Sequence, residues 1–293
     1  MSGASLETIA AAGPSHGYWT GVLRRLGRDP VAMCALLVIV TIVLMAVFAP
    51  LIAPADPYRG QMLRRLRPIG TPNFPLGTDE LGRDMLTRLI YGARLSLLMG
   101  ATPVFIAFFI GSAIGITAGY LGGKVNTVLM RTIDVFFAFP SVLLAIALSG
   151  ALGAGIFNGL LSLTIVFIPP IARIAESVTT AVRKIEYVEA ARASGAPALT
   201  IVRVHVLGNV IGPIFVYATG LISVSLILAA GLSFLGLGVK PPEPEWGLML
   251  NTLRNAIYVQ PWVAALPGAM IFITSISFNL FSDGLRSAMD LKS

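Results

Sequence analysis

Residues 186–209 read EYVEAARASGAPALTIVRVHVLGN, the longest polar stretch between apolar segments in the second half of the chain. Its first half is rich in glutamate and alanine, which are good helix formers. Gly195 is placed to end this helix in a left-handed conformation, and Pro197 suits the first turn of a new helix. The stretch therefore predicts a helix, a sharp turn and a second helix that lie against a surface. Such a rigid bent element fits a mechanical contact with a soluble partner, and an ordinary connector between two membrane helices is the alternative.

The composition indicates an integral membrane protein. Of the 293 residues, 56% are hydrophobic and 12% are charged, which is about half the charged fraction of a soluble domain, and the mean hydropathy is +0.83. A helix needs about 20 apolar residues to cross the hydrocarbon core. Six segments meet this requirement: residues 31–53, 96–119, 132–152, 156–175, 212–237 and 263–282. We therefore predict an all-α integral membrane protein with six transmembrane helices.

The chain divides into a tail, residues 1–30, and a membrane domain, residues 31–290. Residues 1–16 are expected to be unstructured. From Trp19 to Leu26, apolar residues recur at helical spacing opposite three arginines, which predicts a short amphipathic helix for a membrane surface. A solvated tail is the alternative. The single cysteine, Cys34, excludes an internal disulfide.

Two loops of the membrane domain are long enough to have their own structure. One is the bent loop, residues 183–210, and the other is the proline- and arginine-rich loop at residues 54–94. The latter contains LGTDELGRD at residues 76–84, after which we expect a short helix capped by Thr78 or Asp79.

Small and cyclic residues mark two of the predicted spans. Gly111, Gly115 and Gly119 lie on one helix face and predict a close contact with another helix. Pro169 and Pro170 predict a kink in the fourth span.

Charges are rare near the membrane core. Three pairs have the i,i+3 spacing of helical ion pairs: Arg131 with Asp134, Arg173 with Glu176, and Asp283 with Arg286. Functional charges inside membranes are usually deep, whereas these fall at predicted span ends. We therefore interpret them as ion pairs that stabilise the span ends at the membrane interface rather than as parts of an ion pathway.

The chain carries no recognisable catalytic chemistry of its own. The segment AGYLGGKV, residues 118–125, lacks the first glycine and the hydroxyl residue of a phosphate-binding loop, so ATP binding requires a separate subunit. His16 and His205 are far apart and neither lies near a ligand cluster, which argues against a metal site. The net charge of +7 is attributed to membrane-flanking Lys and Arg rather than to nucleic-acid binding. The chain is therefore not expected to be an enzyme.

The distribution of Lys and Arg predicts the orientation. When the long loop is set aside, these residues are concentrated in the segments that an amino-terminus-inside topology places in the cytoplasm. Six spans then put both termini on the cytoplasmic side. The two halves show no convincing inverted repeat, which weakens the interpretation as a secondary transporter.

Four motifs in order resemble one family. The bent loop matches the pattern E-A-A-x3-G, and three further motifs are FPSVLLAIA at 139–147, SFLGLGVKPPEPEWG at 233–247 and FNLFSDGLR at 278–286. Together with residues 76–84, they resemble the inner-membrane permease subunits of dipeptide/oligopeptide/nickel ABC importers. The chain departs from that pattern at Gly208, where the family has proline, and at Ser282, where it has glycine. Gly208 is expected to leave the end of the second helix of the bent loop softer.

The resemblance implies the type I ABC importer permease fold in a bacterial inner membrane. It also implies a heterodimer with a homologous permease, two cytoplasmic ATPase subunits that bind ATP and Mg, and an extracytoplasmic substrate-binding protein; this chain itself needs no cofactor. The bent loop would then couple the spans to an ATPase. The coupling residues are expected to be Glu186, Tyr187, Glu189, Ala190, Ala191 and Gly195.

The loop after the fifth span is interpreted as part of an outer gate. Its expected gate residues are Pro241, Pro242, Glu245 and Trp246, with the prolines stiffening the loop and the tryptophan serving as an anchor at the membrane interface. The substrate stays open among peptides, glutathione-like thiols, opines and nickel. An ATP-independent secondary transporter or channel, and a structural scaffold, are the alternative classes.

Overall fold

The computed structural model describes residues 18–289, with side chains from Thr20 onward. The expectations for residues 1–16 and for the side chain of Trp19 lie outside the described residues. Within the described part of the chain, the regular structure is helical and only two isolated β-bridges occur. The helices are α1 (Tyr18–Leu26), α2 (Pro30–Val47), α3 (Ala49–Ile52), α4 (Met85–Leu121), α5 (Gly123–Phe137), α6 (Ser141–Leu152), α7 (Ile156–Arg183), α8 (Glu186–Ala193), α9 (Ala198–Ile201), α10 (Leu207–Phe234), α11 (Trp246–Thr252) and α12 (Pro261–Met289).

Five helical segments of the described chain are long and apolar enough to cross a membrane: α2, α4, α7, α12 and the segment Ala198–Phe234. Helices α5 and α6 meet the same requirement only as a pair, and they are bent by 86°. The predicted span at 132–152 is therefore interrupted, and it takes in the end of α5 and all of α6. The break falls before Pro140, because proline disfavours a helical conformation in the residue that precedes it.

The second passage begins earlier than the sequence indicated. Helix α4 has 37 residues, about 55 Å at 1.5 Å per residue, so it exceeds the hydrocarbon thickness of about 30 Å. The expected short helix at residues 85–94 is its first part. The predicted cap was wrong, because Asp84 caps α4 by accepting a hydrogen bond from the Thr87 amide (2.8 Å). Asp79 instead pairs with Arg83, its Oδ2 lying 2.6 Å from the arginine Nε.

The glycine face of α4 contacts α7, as predicted. A Cβ placed on Gly115 would lie 2.5 Å from the Ala175 Cβ, and one on Gly119 would lie 2.8 Å from the Thr179 Cβ. Backbones at this separation exclude any larger side chain on α4. The contact brings α4 and α7 together in the main core, to which α10 also contributes.

The loops gather at opposite ends of the bundle. At one end, the proline-rich end, residues 54–84 meet residues 235–260. The Tyr58 hydroxyl donates to Glu243 Oε2 (2.8 Å), and Arg88 Nη1 of α4 donates to the carbonyls of both Pro57 (3.0 Å) and Pro242 (3.4 Å). At the other, the bent-loop end, residues 184–206 project from the bundle, and α1 packs against the last turns of α12 through Val22 and Leu285.

Candidate functional sites at the two ends of the bundle

The bent loop has the helix–turn–helix form that its sequence indicates. Helix α8 ends in a left-handed residue, Gly195, with φ of +80°. The Gly195 amide donates to the carbonyl of Arg192 (3.0 Å) and the Ala196 amide to that of Ala191 (3.2 Å), so two terminal carbonyls of the helix are satisfied. Pro197 then precedes the first turn of α9. The turn is therefore fixed by local backbone hydrogen bonds around one glycine.

The second helix of the bent loop has no end near Gly208, so the expectation of a softer end there was wrong. Helix α9 passes through one π-helical turn, Val202–Val206, into α10. The helical segment consequently runs from Ala198 to Phe234 without interruption. One helical rod thus joins the turn at Gly195 to the fifth span.

One face of α8 is anchored to the bundle. Val188 is completely buried and belongs to the main core together with Ile201 of α9. The Tyr187 hydroxyl accepts a hydrogen bond from Asn209 Nδ2 (3.0 Å). The guanidinium of Arg192 lies 5.7 Å from the ring centroid of Tyr120, at cation–π distance. The anchored face thereby fixes the orientation of α8 relative to α10.

The other face of α8 is exposed. Glu186 and Glu189 occupy its first turn, where carboxylates favour the positive end of the helix dipole. Of the remaining expected coupling residues, Ala190 and Gly195 are exposed and Ala191 is half-buried. Beyond the turn, the side chain of Leu199 is 80% exposed. The loop therefore presents an acidic edge, a small-residue centre and an apolar tip.

At the proline-rich end, Glu245 organises the loop after the fifth span. Its carboxylate caps α11 by accepting hydrogen bonds from the amides of Gly247 (2.9 Å) and Leu248 (2.8 Å), and Ser96 of α4 donates to it (3.0 Å). Burial raises the pKa of this carboxyl above its usual value, while the amide donors oppose that shift. The residue therefore ties α11 to α4. The peptide bond between Pro241 and Pro242, upstream in this loop, is cis.

Trp246 is not an interfacial anchor, so that expectation was wrong. Its side chain is completely buried, and its Nε1 donates to the carbonyl of Leu89 (3.0 Å). The absence of a side chain at Gly92 makes room for the indole, since a Cβ there would lie 2.9 Å from Trp246 Cδ1. The tryptophan holds α11 against α4. The sequence pattern missed this role because a tryptophan next to a span also suits a membrane interface.

The charged side chains of the long loop form an internal network. Arg83 and Arg88 are both buried, and Asp79 lies between them, with its Oδ2 3.3 Å from Arg88 Nε. Burial also raises the pKa of Glu80, beside this network. Arg83 and Arg88 therefore neutralise acids inside the folded loop.

The predicted ion pairs at the span ends formed only in part. Arg131 lies 3.8 Å from Asp134, as expected. Arg173, however, pairs with Asp134 rather than with Glu176, and Glu176 accepts a hydrogen bond from Asn126 Nδ2 (2.7 Å). The i,i+3 spacing permits a pair, but a closer partner on a neighbouring helix replaces it.

Asp283 and Arg286, the third predicted pair, do not form an ion pair with each other or with another residue among residues 18–289. Both side chains are exposed and line a common cavity. One residue earlier, Ser282 is buried and donates to the carbonyl of Val216 on α10 (3.0 Å). The serine that replaces the family glycine therefore links α12 to α10.

The fold resembles that of a solved transporter. The structure titled "Inward facing conformations of the MetNI methionine ABC transporter" aligns with a TM-score of 0.56 at 21% identity, over 70% of this chain and 97% of that chain. The family model described as "Binding-protein-dependent transport system inner membrane component" matches residues 111–292, and the model of the N-terminal TM domain of oligopeptide transport permease C matches residues 17–68. The chain belongs to the family of binding-protein-dependent transport system inner membrane components.

Its relatives include permease proteins named for the transport of peptides and of glutathione. The chain is 40% identical to the di/tripeptide transport system permease protein DppC of Pseudomonas aeruginosa, over 99% of this chain and 96% of the relative. It is 39% identical to the probable D,D-dipeptide transport system permease protein DdpC of Escherichia coli, over 90% and 88%. It is also 39% identical to the glutathione transport system permease protein GsiD of Pectobacterium atrosepticum, over 94% and 91%. These matches confirm the resemblance to dipeptide/oligopeptide-type permeases, and the chain is a multi-pass permease subunit of an ABC importer in the inner membrane.

Proposed function

We propose that this chain forms one half of a pathway for small peptide-like solutes, beside a homologous permease in a heterodimer. Two cytoplasmic ATPase subunits carry ATP and Mg, and an extracytoplasmic substrate-binding protein delivers the solute. The chain itself is no enzyme and holds no cofactor. The names of its relatives, which concern di- and tripeptides, D,D-dipeptides and glutathione, support the solute class.

The single observation that carries this proposal is the construction of the bent loop. Helix α8 exposes one face, while its other face is fastened to the bundle through Val188 and Tyr187. Beyond Gly195, the rod Ala198–Phe234 continues into the fifth span. An ATPase subunit that binds the exposed face of α8 can therefore transmit its movement to α10 through this continuous helical segment. For coupling, the ATPase must bind the loop differently in its two nucleotide states, because only a differential affinity shifts the equilibrium of the spans.

Co-purification tests the proposed assembly. We expect the tagged chain, expressed together with its partner permease, two ATPases and binding protein, to carry both ATPase subunits through purification. Glu189→Arg reverses a charge on the exposed face of α8 and should lower the ATPase yield severalfold, whereas Lys124→Glu, at the start of α5 and outside the bent loop, should retain it. Purification of the wild-type chain without ATPase subunits would favour an ATP-independent transporter or channel.

We also propose that the bent-loop end faces the cytoplasm. In a Cys34→Ser background, Tyr258→Cys at the proline-rich end and Leu199→Cys in the bent loop provide matched probes, because the native side chains are 89% and 80% exposed. A membrane-impermeant maleimide should label only Tyr258→Cys in intact spheroplasts and both variants after permeabilisation. Labelling of Leu199→Cys in intact spheroplasts would contradict this topology and show that the bent-loop end faces the outside.

A further inference from the structure

Two cavities meet at one residue of the last span. A cavity of 680 Å³ lies between α10 and α12 beside α11, with mainly apolar walls that include Ile227 and Phe272. A second cavity, of 400 Å³, lies between α7, α10 and α12, nearer the bent-loop end, and its walls are more polar. Asn279 lines both. The two cavities therefore follow one another along the α10–α12 face (the α10–α12 route), and the amide of Asn279 lines both.

The amide of Asn279 indicates that this route contains water. Its side chain is exposed and makes no hydrogen bond with another residue of the described part of the chain. On the same helix, the hydroxyls of Thr274 and Ser277 are satisfied by backbone carbonyls, each at 2.7 Å. An amide without a partner is costly in hydrocarbon but not in water. The side chain of Asn279 therefore has a lower free energy beside a water-filled pathway than beside lipid.

The charges below Asn279 lie on the same helix face. Asp283 follows by four residues and Arg286 by seven, which places all three side chains along one stripe of α12. Both charged residues line the 400 Å³ cavity, and neither is engaged in an ion pair among residues 18–289. The cavity therefore offers a separate anion, a separate cation and a neutral amide.

We propose that the 400 Å³ cavity is a transient binding site for a zwitterionic, peptide-like solute, an inference that rests on the proposed function. The ammonium group of the solute pairs with Asp283 and its carboxylate with Arg286, while Asn279 hydrogen-bonds a peptide group. An extended dipeptide spans roughly 7 Å, which flexible aspartate and arginine side chains can bracket. Pairs that remain solvated are weak, and a weak site allows the solute to be released.

Accessibility of a cysteine tests whether Asn279 faces a wet pathway. In the Cys34→Ser background of the assembled complex, Asn279→Cys should react with a charged methanethiosulfonate at least about 10-fold faster than Leu280→Cys, since a thiol in apolar surroundings forms little thiolate. Leu280 is the matched control because it lines a groove on the α2 side of the same helix. Equal or slower reaction of Asn279→Cys would overturn the inference.

Protection of that cysteine tests the solute class. If the dissociation constant is about 1 mM, then about 5 mM dialanine should slow the labelling of Asn279→Cys about sixfold. N-acetyl-dialanine amide, which lacks both charges, should give no protection, and Asp283→Asn or Arg286→Gln should remove the effect of dialanine. Equal protection by the neutral analogue, or none by dialanine, contradicts the inference. Basal ATP hydrolysis, measured on the same preparations, separates these outcomes from failure of the proposed function, in which the ATPase subunits do not assemble at all.

Discussion

Gly195→Val should nearly abolish transport and the stimulation of ATP hydrolysis by loaded binding protein, while the complex still inserts and assembles. Gly195 has a φ of +80°, and no atom lies within 4 Å of the position that a Cβ would take. The substitution therefore introduces no clash, and its effect is conformational. A non-glycine residue in this region costs about 1–2 kcal/mol, and a β-branched one fits worse. Helix α8 has only eight residues and is not stable alone, so loss of the turn should misplace it.

The bent loop supplies its own control for this experiment. A Cβ on Gly208 would also meet nothing within 4 Å, but Gly208 is helical and has no positive φ. Gly208→Val should therefore retain most of the coupling. Gly195→Asn should be intermediate, because asparagine tolerates the left-handed conformation. Transport and ATP hydrolysis are measured side by side in proteoliposomes. Normal values of both for Gly195→Val would show that the bent loop is a passive connector.

The parts of the fold that the sequence predicted are those governed by local chemistry. The turn at Gly195 depends on a glycine and a proline two residues apart, and the close α4–α7 contact depends on glycines repeated every four residues. Hydropathy likewise located the five continuous apolar helices, because each must supply enough apolar residues for the hydrocarbon core. Signals of this kind need no information about distant partners.

The parts that the sequence did not predict depend on contacts between distant segments. Arg173 has a suitable partner three residues away, yet it pairs with Asp134 from another helix. The continuity of α9 with α10 does not follow from Gly208, where the family pattern places proline. The break between α5 and α6 is favoured by Pro140, but it lies inside an apolar segment that hydropathy alone predicts to be one span. The burial of Trp246 depends on Gly92, which lies far away in the sequence.

Trp246→Ala should produce the largest loss of stability at the proline-rich end. The side chain is completely buried between α11 and α4, and its N–H donates to the Leu89 carbonyl. Truncation of a buried tryptophan costs about 3–5 kcal/mol, so the melting temperature of the detergent-solubilised complex should fall by on the order of 5–10 °C. Because α11 would no longer be held against α4, transport should fall as well.

Two further substitutions separate the contributions of Trp246 to stability. Trp246→Phe distinguishes ring packing from the indole hydrogen bond, and Trp262→Ala shows the effect of a tryptophan that lies only at the membrane interface. Trp262→Ala removes a tryptophan that is 77% exposed at the start of α12, at the same end of the bundle, and should change the melting temperature little. Trp246→Phe retains most of the ring volume but loses the indole hydrogen bond to the Leu89 carbonyl, which contributes about 0.5–1.5 kcal/mol. We therefore expect the order of stability to be Trp262→Ala, Trp246→Phe, Trp246→Ala. Equal melting temperatures for the two alanine variants would mean that Trp246 contributes no more to the fold than an exposed interfacial residue does. Glu245, through its contacts with Ser96 and the start of α11, would then hold this end of the bundle without the tryptophan.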